Sequence, residues 1–189
     1  MTNQYSTTIA SNKFTTRRLT LMGMLAAISI VLIIFVRIPL MPAAPWLIYD
    51  LADIPLLVGA FALGPLMGLL ILTVVALIHA FMLSGYGIIS FIMNMASSGA
   101  LIVVASLIFR KLGDTNRSLA ISLTIGGLAM TAIMIPLNLI FTPLLFGIPV
   151  AAVAELILPV LLPFNLLKAA ANGGIFFLLY KGLRAVLPN

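Results

Sequence analysis

Residues 149–174 read PVAAVAELILPVLLPFNLLKAAANGG. The stretch holds the chain's only glutamate, Glu155, and Lys168, each set in apolar sequence. A charge in hydrocarbon is expensive, so an ionisable residue there marks a functional site by default. Pro159 and Pro163 each remove a backbone donor and are expected to break any helix between the two charges. A helix restarting near Pro163 carries Asn165, Lys168 and Asn172 at i, i+3 and i+7, which places all three on one face. That face reads as one wall of a polar pocket inside an apolar protein. The plainer alternative leaves Glu155 in an exposed loop and lets Lys168 snorkel to the headgroups.

The rest of the chain supports the apolar setting. Of its 189 residues, 63% are hydrophobic and 7% charged, and the mean hydropathy is +1.28. A soluble domain carries about 25% charged residues. The polar surface is too small to cover a soluble globule, which points to a membrane protein. Membrane strands alternate apolar and polar residues. The apolar runs here are continuous, as spanning helices require. The net charge is +6, but the basic residues gather at segment ends. That pattern follows membrane topology and argues against a nucleic-acid partner. There are no cysteines, so disulfides, thiolate nucleophiles and cysteine metal sites are excluded.

The expected architecture is an all-α membrane protein of six transmembrane helices. A polar cytoplasmic tail, residues 1–18, precedes one six-helix domain, residues 19–189. The tail does not resemble a cleaved signal peptide, so the first apolar run is expected to remain as an anchor. The first span, residues 19–36, carries Gly23 and Ala27 four apart, a small-residue face that admits another helix closely. Packing within this chain is the alternative. Residues 37–53 form a long loop with three prolines, and Trp46 and Tyr49 suit an outer interface. Asp50 and Asp53 are expected to serve the N-terminus of the next helix as caps. The second span, residues 48–63, is short and ends at Gly64-Pro65, a turn with proline opening the third span. That span, residues 66–82, carries His79, expected to be a packed or interfacial residue. The fourth span covers residues 88–109 and the fifth 118–141. Residues 142–164 form a broken external segment, and the sixth span covers 163–183.

Six spans put both termini on one side. Eight of the ten basic residues then share that side (Lys13, Arg17, Arg18, Arg110, Lys111, Arg117, Lys181 and Arg184). The excess of positive charge assigns both termini to the cytoplasm. Helical rise places Asn94 roughly 9 Å below the outer end of its span, Asn138 roughly 5–6 Å and Lys168 roughly 7–8 Å. Three polar groups from three helices at one depth imply a closed pocket in the outer half.

Residues 49–68 read YDLADIPLLVGAFALGPLMG. An Asp-x-Pro helix closed by Gly-Pro-x-x-Gly resembles the substrate-binding S components of energy-coupling factor (ECF) vitamin transporters, in the version of the riboflavin-specific members. The resemblance covers nearly the whole chain. It implies a six-helix, non-enzymatic subunit of the cell membrane that captures riboflavin from outside and has no cofactor of its own. It implies partners too: an EcfT-type membrane scaffold and two cytoplasmic ABC-type ATPases. It places the vitamin between the first external loop, here with Leu40 and Met41, and the outer ends of spans four to six. Asn94, Asn138, Glu155, Asn165, Lys168 and Asn172 lie in those parts. The family's coupling face on the first helix is matched by Gly23 and Ala27, with glycine for one alanine.

No Gly-x4-Gly-Lys-Ser/Thr motif occurs, so no P-loop is expected to bind ATP here. Two other classes compete. A stand-alone secondary transporter would need an ion relay, and one glutamate with one lysine is thin for that, with no internal repeat. An intramembrane hydrolase would pair Ser97 or Ser98 with His79, which differ in depth.

Overall fold

A computed structural model describes residues 15–183. The regular structure of the described residues is helical apart from one small hairpin. In order come α1 (Thr16–Phe35), β1 (Ile38–Pro39), β2 (Ile48–Tyr49), α2 (Asp53–Leu63), α3 (Pro65–Ile78), α4 (Gly87–Leu112), α5 (Asn116–Phe146), α6 (Val150–Glu155) and α7 (Leu162–Leu183). Among the described residues, five helical stretches are long and apolar enough to cross a membrane. The expected second span, residues 48–63, is the exception. Residues 48–49 pair with residues 38–39 as an antiparallel hairpin, and the helix begins only at Asp53. Its 11 residues rise about 16 Å, half of a hydrocarbon core about 30 Å thick.

The short helix is also the central one. α2 packs against α1, α3, α4 and α7, and Leu56, Leu57 and Ala60 are fully enclosed. Gly64 turns the chain with φ 110°, and Pro65 opens α3, as the sequence implied. The two helices then run back close together: a Cβ on Gly68 would stand 2.7 Å from that of Ala60. Lipid offers no hydrophobic drive for helices to associate, so such close contact carries the packing. The same device joins α4 to α5, where a Cβ on Gly126 would meet the Leu101 carbonyl oxygen at 2.8 Å. Phe61, Phe109, Phe176 and Tyr180 interlock at centroid distances of 4.9–5.7 Å. They knit α2, α4 and α7 together at the end away from the hairpin.

Several boundaries differ from expectation. α1 starts at Thr16, because the Thr15 hydroxyl caps it by accepting from the Arg18 amide. Arg17 and Arg18 are therefore helical; residues 1–14 and Arg184 lie outside the described residues. α5 runs on through Pro136 and Pro143 to a left-handed Gly147. Pro159 does not break the path to α7. Residues 157–161 wind as one wide π turn, closed by Leu161 N–H donating to the Leu156 carbonyl at 2.9 Å. Wider winding tolerates a missing donor. Another π turn, His79–Leu83, ends the stretch begun by α3.

Gly23 and Ala27 are exposed on α1, and a Cβ on Gly23 would meet nothing within 4 Å. Internal packing of this stripe is ruled out, because it faces away from the bundle.

Candidate functional site

The hairpin closes one end of the bundle over a cavity of about 170 Å³. Polar lining comes from five parts of the fold: Asp50 beside β2, His79 in the π turn after α3, Ser90 and Asn94 on α4, Asn138 on α5, and Asn165 and Lys168 on α7. Trp46, Tyr86 and Phe146 add an aromatic rim. Trp46 stacks on Phe146 at 5.0 Å and 27°, and Tyr86 meets Phe146 edge-on at 5.5 Å. An apolar enclosure with a few convergent polar groups is the usual form of a small-molecule site.

Each cavity amide is oriented by a local bond to a carbonyl four residues back. Asn138 Nδ2 donates to the Met134 carbonyl at 2.8 Å, and its Oδ1 accepts from Thr142 at 3.1 Å. Pro136 and Pro143 lie in the same stretch of α5. Asn165 Nδ2 donates to the Leu161 carbonyl at 2.7 Å, at the junction of the π turn and α7. Asn94 Nδ2 donates to the Ser90 carbonyl at 2.9 Å and to His79 Nδ1 at 3.1 Å. Ser90 Oγ also lies within hydrogen-bond reach of His79 Nδ1, at 3.3 Å. His79 thus belongs to the cavity wall through its neighbours on α4.

The ionic centre differs from expectation. Lys168 Nζ donates to Asp50 Oδ2 at 2.9 Å and lies 3.9 Å from Asp53 Oδ2. Its side chain is 12% exposed, so it does not snorkel. Asp53 accepts from Ser98 Oγ at 2.6 Å and from Asn172 Nδ2 at 3.1 Å. Capping accounts for little of this. Asp50 Oδ1 does accept from the Ala52 amide at 3.0 Å, but α2 has no side-chain cap bond. Both carboxylates turn inward because a buried ammonium needs partners. The pairing could have been suspected from two carboxylates beside a proline-started helix and one lysine in hydrocarbon.

Asn172 stands behind the cavity, not in its lining. It is wholly buried, accepts from the Tyr49 hydroxyl at 3.0 Å and donates to the Asp50 carbonyl at 3.1 Å. Asn172 therefore locks the hairpin to α7. Leu40 and Met41 pack in the apolar cluster of the hairpin, with Tyr49 and Phe164, and do not line the cavity. Glu155 ends α6 exposed and outside the lining; α6 turns it away from Lys168. Trp46, Asp50, His79 and Ser90 were not singled out as site residues by sequence.

The serine–histidine pairing of a hydrolase is not formed by Ser97 or Ser98. Ser98 Oγ donates its hydrogen bond to Asp53, while His79 pairs with Ser90 and Asn94. Among the described residues no group of three His, Cys, Asp or Glu could hold a metal ion.

Residues 17–180 match the family model described as "ECF transporter, substrate-specific component". The chain belongs to this family. It is similar to the riboflavin transporter RibU of Staphylococcus aureus, 29% identical over 179 residues, covering 92% of this chain and 93% of that protein. RibU of Streptococcus thermophilus is 27% identical over 183 residues, covering 91% and 85%. A solved structure of the S component of a bacterial ECF transporter superposes with a TM-score of 0.78 at 28% identity, covering 92% of this chain and 98% of that one. This S component is thus a membrane-embedded transport protein, and its named relatives are transporter subunits, not enzymes.

Proposed function

We propose that this S component binds riboflavin in the hairpin-end cavity and delivers it for uptake, working with an EcfT-type scaffold and two ATPases. One observation carries the reading. One polar-walled cavity, lined by Asn94, Asn138, Asn165 and Lys168 and rimmed by Trp46, Tyr86 and Phe146, lies in a chain whose relatives are named riboflavin transporters. A flavin has a flat apolar ring system edged with amide groups, and a chain of hydroxyls. Aromatic side chains suit the first, and amides with an ammonium suit the rest. No step of chemistry is required of the chain; it needs to enclose and release its cargo.

In this reading α2 with the hairpin counts as the second of six passes, both termini are cytoplasmic and the cavity opens outward. The Gly23–Ala27 face is the docking surface for the scaffold, since it is exposed and lets a helix backbone come close. The chain has no cysteine, so single cysteines introduced near Asp114 and near Pro149 report sidedness cleanly. The first should react from the cytoplasm and the second from outside.

The deciding experiment extracts the purified protein and identifies the bound small molecule, then titrates the emptied protein with riboflavin, thiamine and biotin. Riboflavin should bind tightly with its fluorescence quenched, and the other two should not compete. Equal affinity for all three, or no riboflavin binding, overturns the assignment.

A further inference from the structure

A second cavity, of about 390 Å³, lies between α5 and α7. It is walled by Leu123, Leu128, Leu166 and Phe177 and floored by small residues such as Gly127 and Gly173. Polar side chains are almost absent from it, so water has too few partners there. The helices are antiparallel in a register that the close contacts define. A Cβ on Gly127 would lie 2.9 Å from that of Ala169, and one on Gly173 would lie 3.8 Å from that of Leu123. Four residues back along α5 thus match four residues on along α7.

Continuing that register sets Arg117 across from the Phe177–Lys181 turn. Lys181 Nζ sits over the Phe177 ring at 5.1 Å, which holds the ammonium beside the groove's end. Arg117 precedes the lining residue Ala120 by one helical turn, on the same face. Both cations are exposed. On α7 the lining runs from Leu166 to Phe177. That is about 16 Å at helical rise, against roughly 15 Å for one leaflet of a hydrocarbon core about 30 Å thick.

We propose that this groove is a binding site for one acyl chain of an anionic phospholipid, whose headgroup phosphate is held between Arg117 and Lys181. The argument is charge complementarity joined to length. The groove is dry, one leaflet long and basic at one end only, where headgroups of the nearer leaflet lie. A membrane-surface cation attracts an anionic lipid, and two cations at one site reinforce each other. A zwitterionic lipid with the same chains fills the groove but gains less from the basic pair. The site stands apart from the hairpin-end cavity and does not depend on what that cavity binds.

Native mass spectrometry of the full chain tests this, with dioleoyl phosphatidylglycerol and dioleoyl phosphatidylcholine titrated in parallel. The phosphatidylglycerol adduct should persist at roughly tenfold lower lipid concentration. Arg117→Gln with Lys181→Gln should bring it to the phosphatidylcholine level. Gly174→Leu should weaken both adducts, by putting a side chain where a Cβ now meets nothing within 4 Å. Unchanged thermal unfolding of each variant confirms that it is folded. If a variant unfolds early, Gly174→Ala and the single charge changes, Arg117→Gln and Lys181→Gln, replace it with smaller shifts in the same order. Equal retention of the two lipids by the wild type overturns the proposal. So does Gly174→Leu that keeps both adducts but blocks assembly with an EcfT-type scaffold, which would assign the groove to a partner helix.

Discussion

The Lys168 ammonium on α7 lies 2.9 Å from the Asp50 carboxylate beside the hairpin, across 118 residues of sequence. With Asp53 at 3.9 Å, two carboxylates face one cation in a nearly dry setting. The pair ties the cavity's cover to its wall, so the same residue serves stability and binding.

Lys168→Met leaves the buried Asp53 carboxylate and the partly buried Asp50 carboxylate without their cation. Breaking a buried pair from one side costs about 3–5 kcal/mol. Thermal unfolding of the ligand-free protein should fall accordingly, and Asp50→Asn in the same chain should restore much of the loss. A single variant as stable as the wild type would show that the pair contributes nothing.

Asn165→Ala removes a cavity amide whose own structural bond is local, to the Leu161 carbonyl. Riboflavin affinity should fall about ten- to a hundredfold, the equivalent of 1–3 kcal/mol for an unpaired polar group, with little change in stability. Glu155→Gln, at an exposed position, should stay within twofold. Fluorescence-quenching titrations of both variants separate these outcomes. Reversal of the two effects would move the site toward α6.

Asn172→Leu cuts the bonds to the Tyr49 hydroxyl, the Asp50 carbonyl and the Asp53 carboxylate together. The hairpin should loosen, and riboflavin should dissociate faster although Asn172 does not line the cavity. Tyr49→Phe removes one of these bonds and should cost about 1 kcal/mol. Stopped-flow dissociation rates should rank wild type, Tyr49→Phe and Asn172→Leu in that order; equal rates would sink the locking role.

Gly23→Leu with Ala27→Leu adds bulk to an exposed face, on which a Cβ at Gly23 would meet nothing within 4 Å. Flavin affinity should remain within a few-fold while cellular uptake of radiolabelled riboflavin is abolished, since close helix approach needs small residues. Uptake at the wild-type rate would show that docking occurs elsewhere.

Local order explains which features the sequence determined. Helical periodicity is a short-range property, so Asn165, Lys168 and Asn172 had to share a face of α7. Gly64-Pro65 had to turn, because glycine tolerates φ 110° and proline suits the first turn of a helix. Apolar runs with almost no charge had to be helices in lipid, where the backbone must satisfy itself. Membership of the S-component family was legible in the stretch from Tyr49 to Gly68.

Tertiary structure decided the partners. Glu155 is the nearest acid to Lys168 in sequence, yet Asp50 and Asp53 take the ammonium, because the hairpin folds over the end of the bundle and α6 points Glu155 outward. The caps expected of the two aspartates yielded to this pairing: a buried cation costs more to leave bare than a helix end does to leave uncapped. The same folding separated three residues of one helical face. Asn165 and Lys168 reach the cavity, while Asn172, seven residues along from Asn165, is taken up by Tyr49, Asp50 and Asp53. Periodicity gives a residue its direction; what meets it there depends on segments more than a hundred residues away.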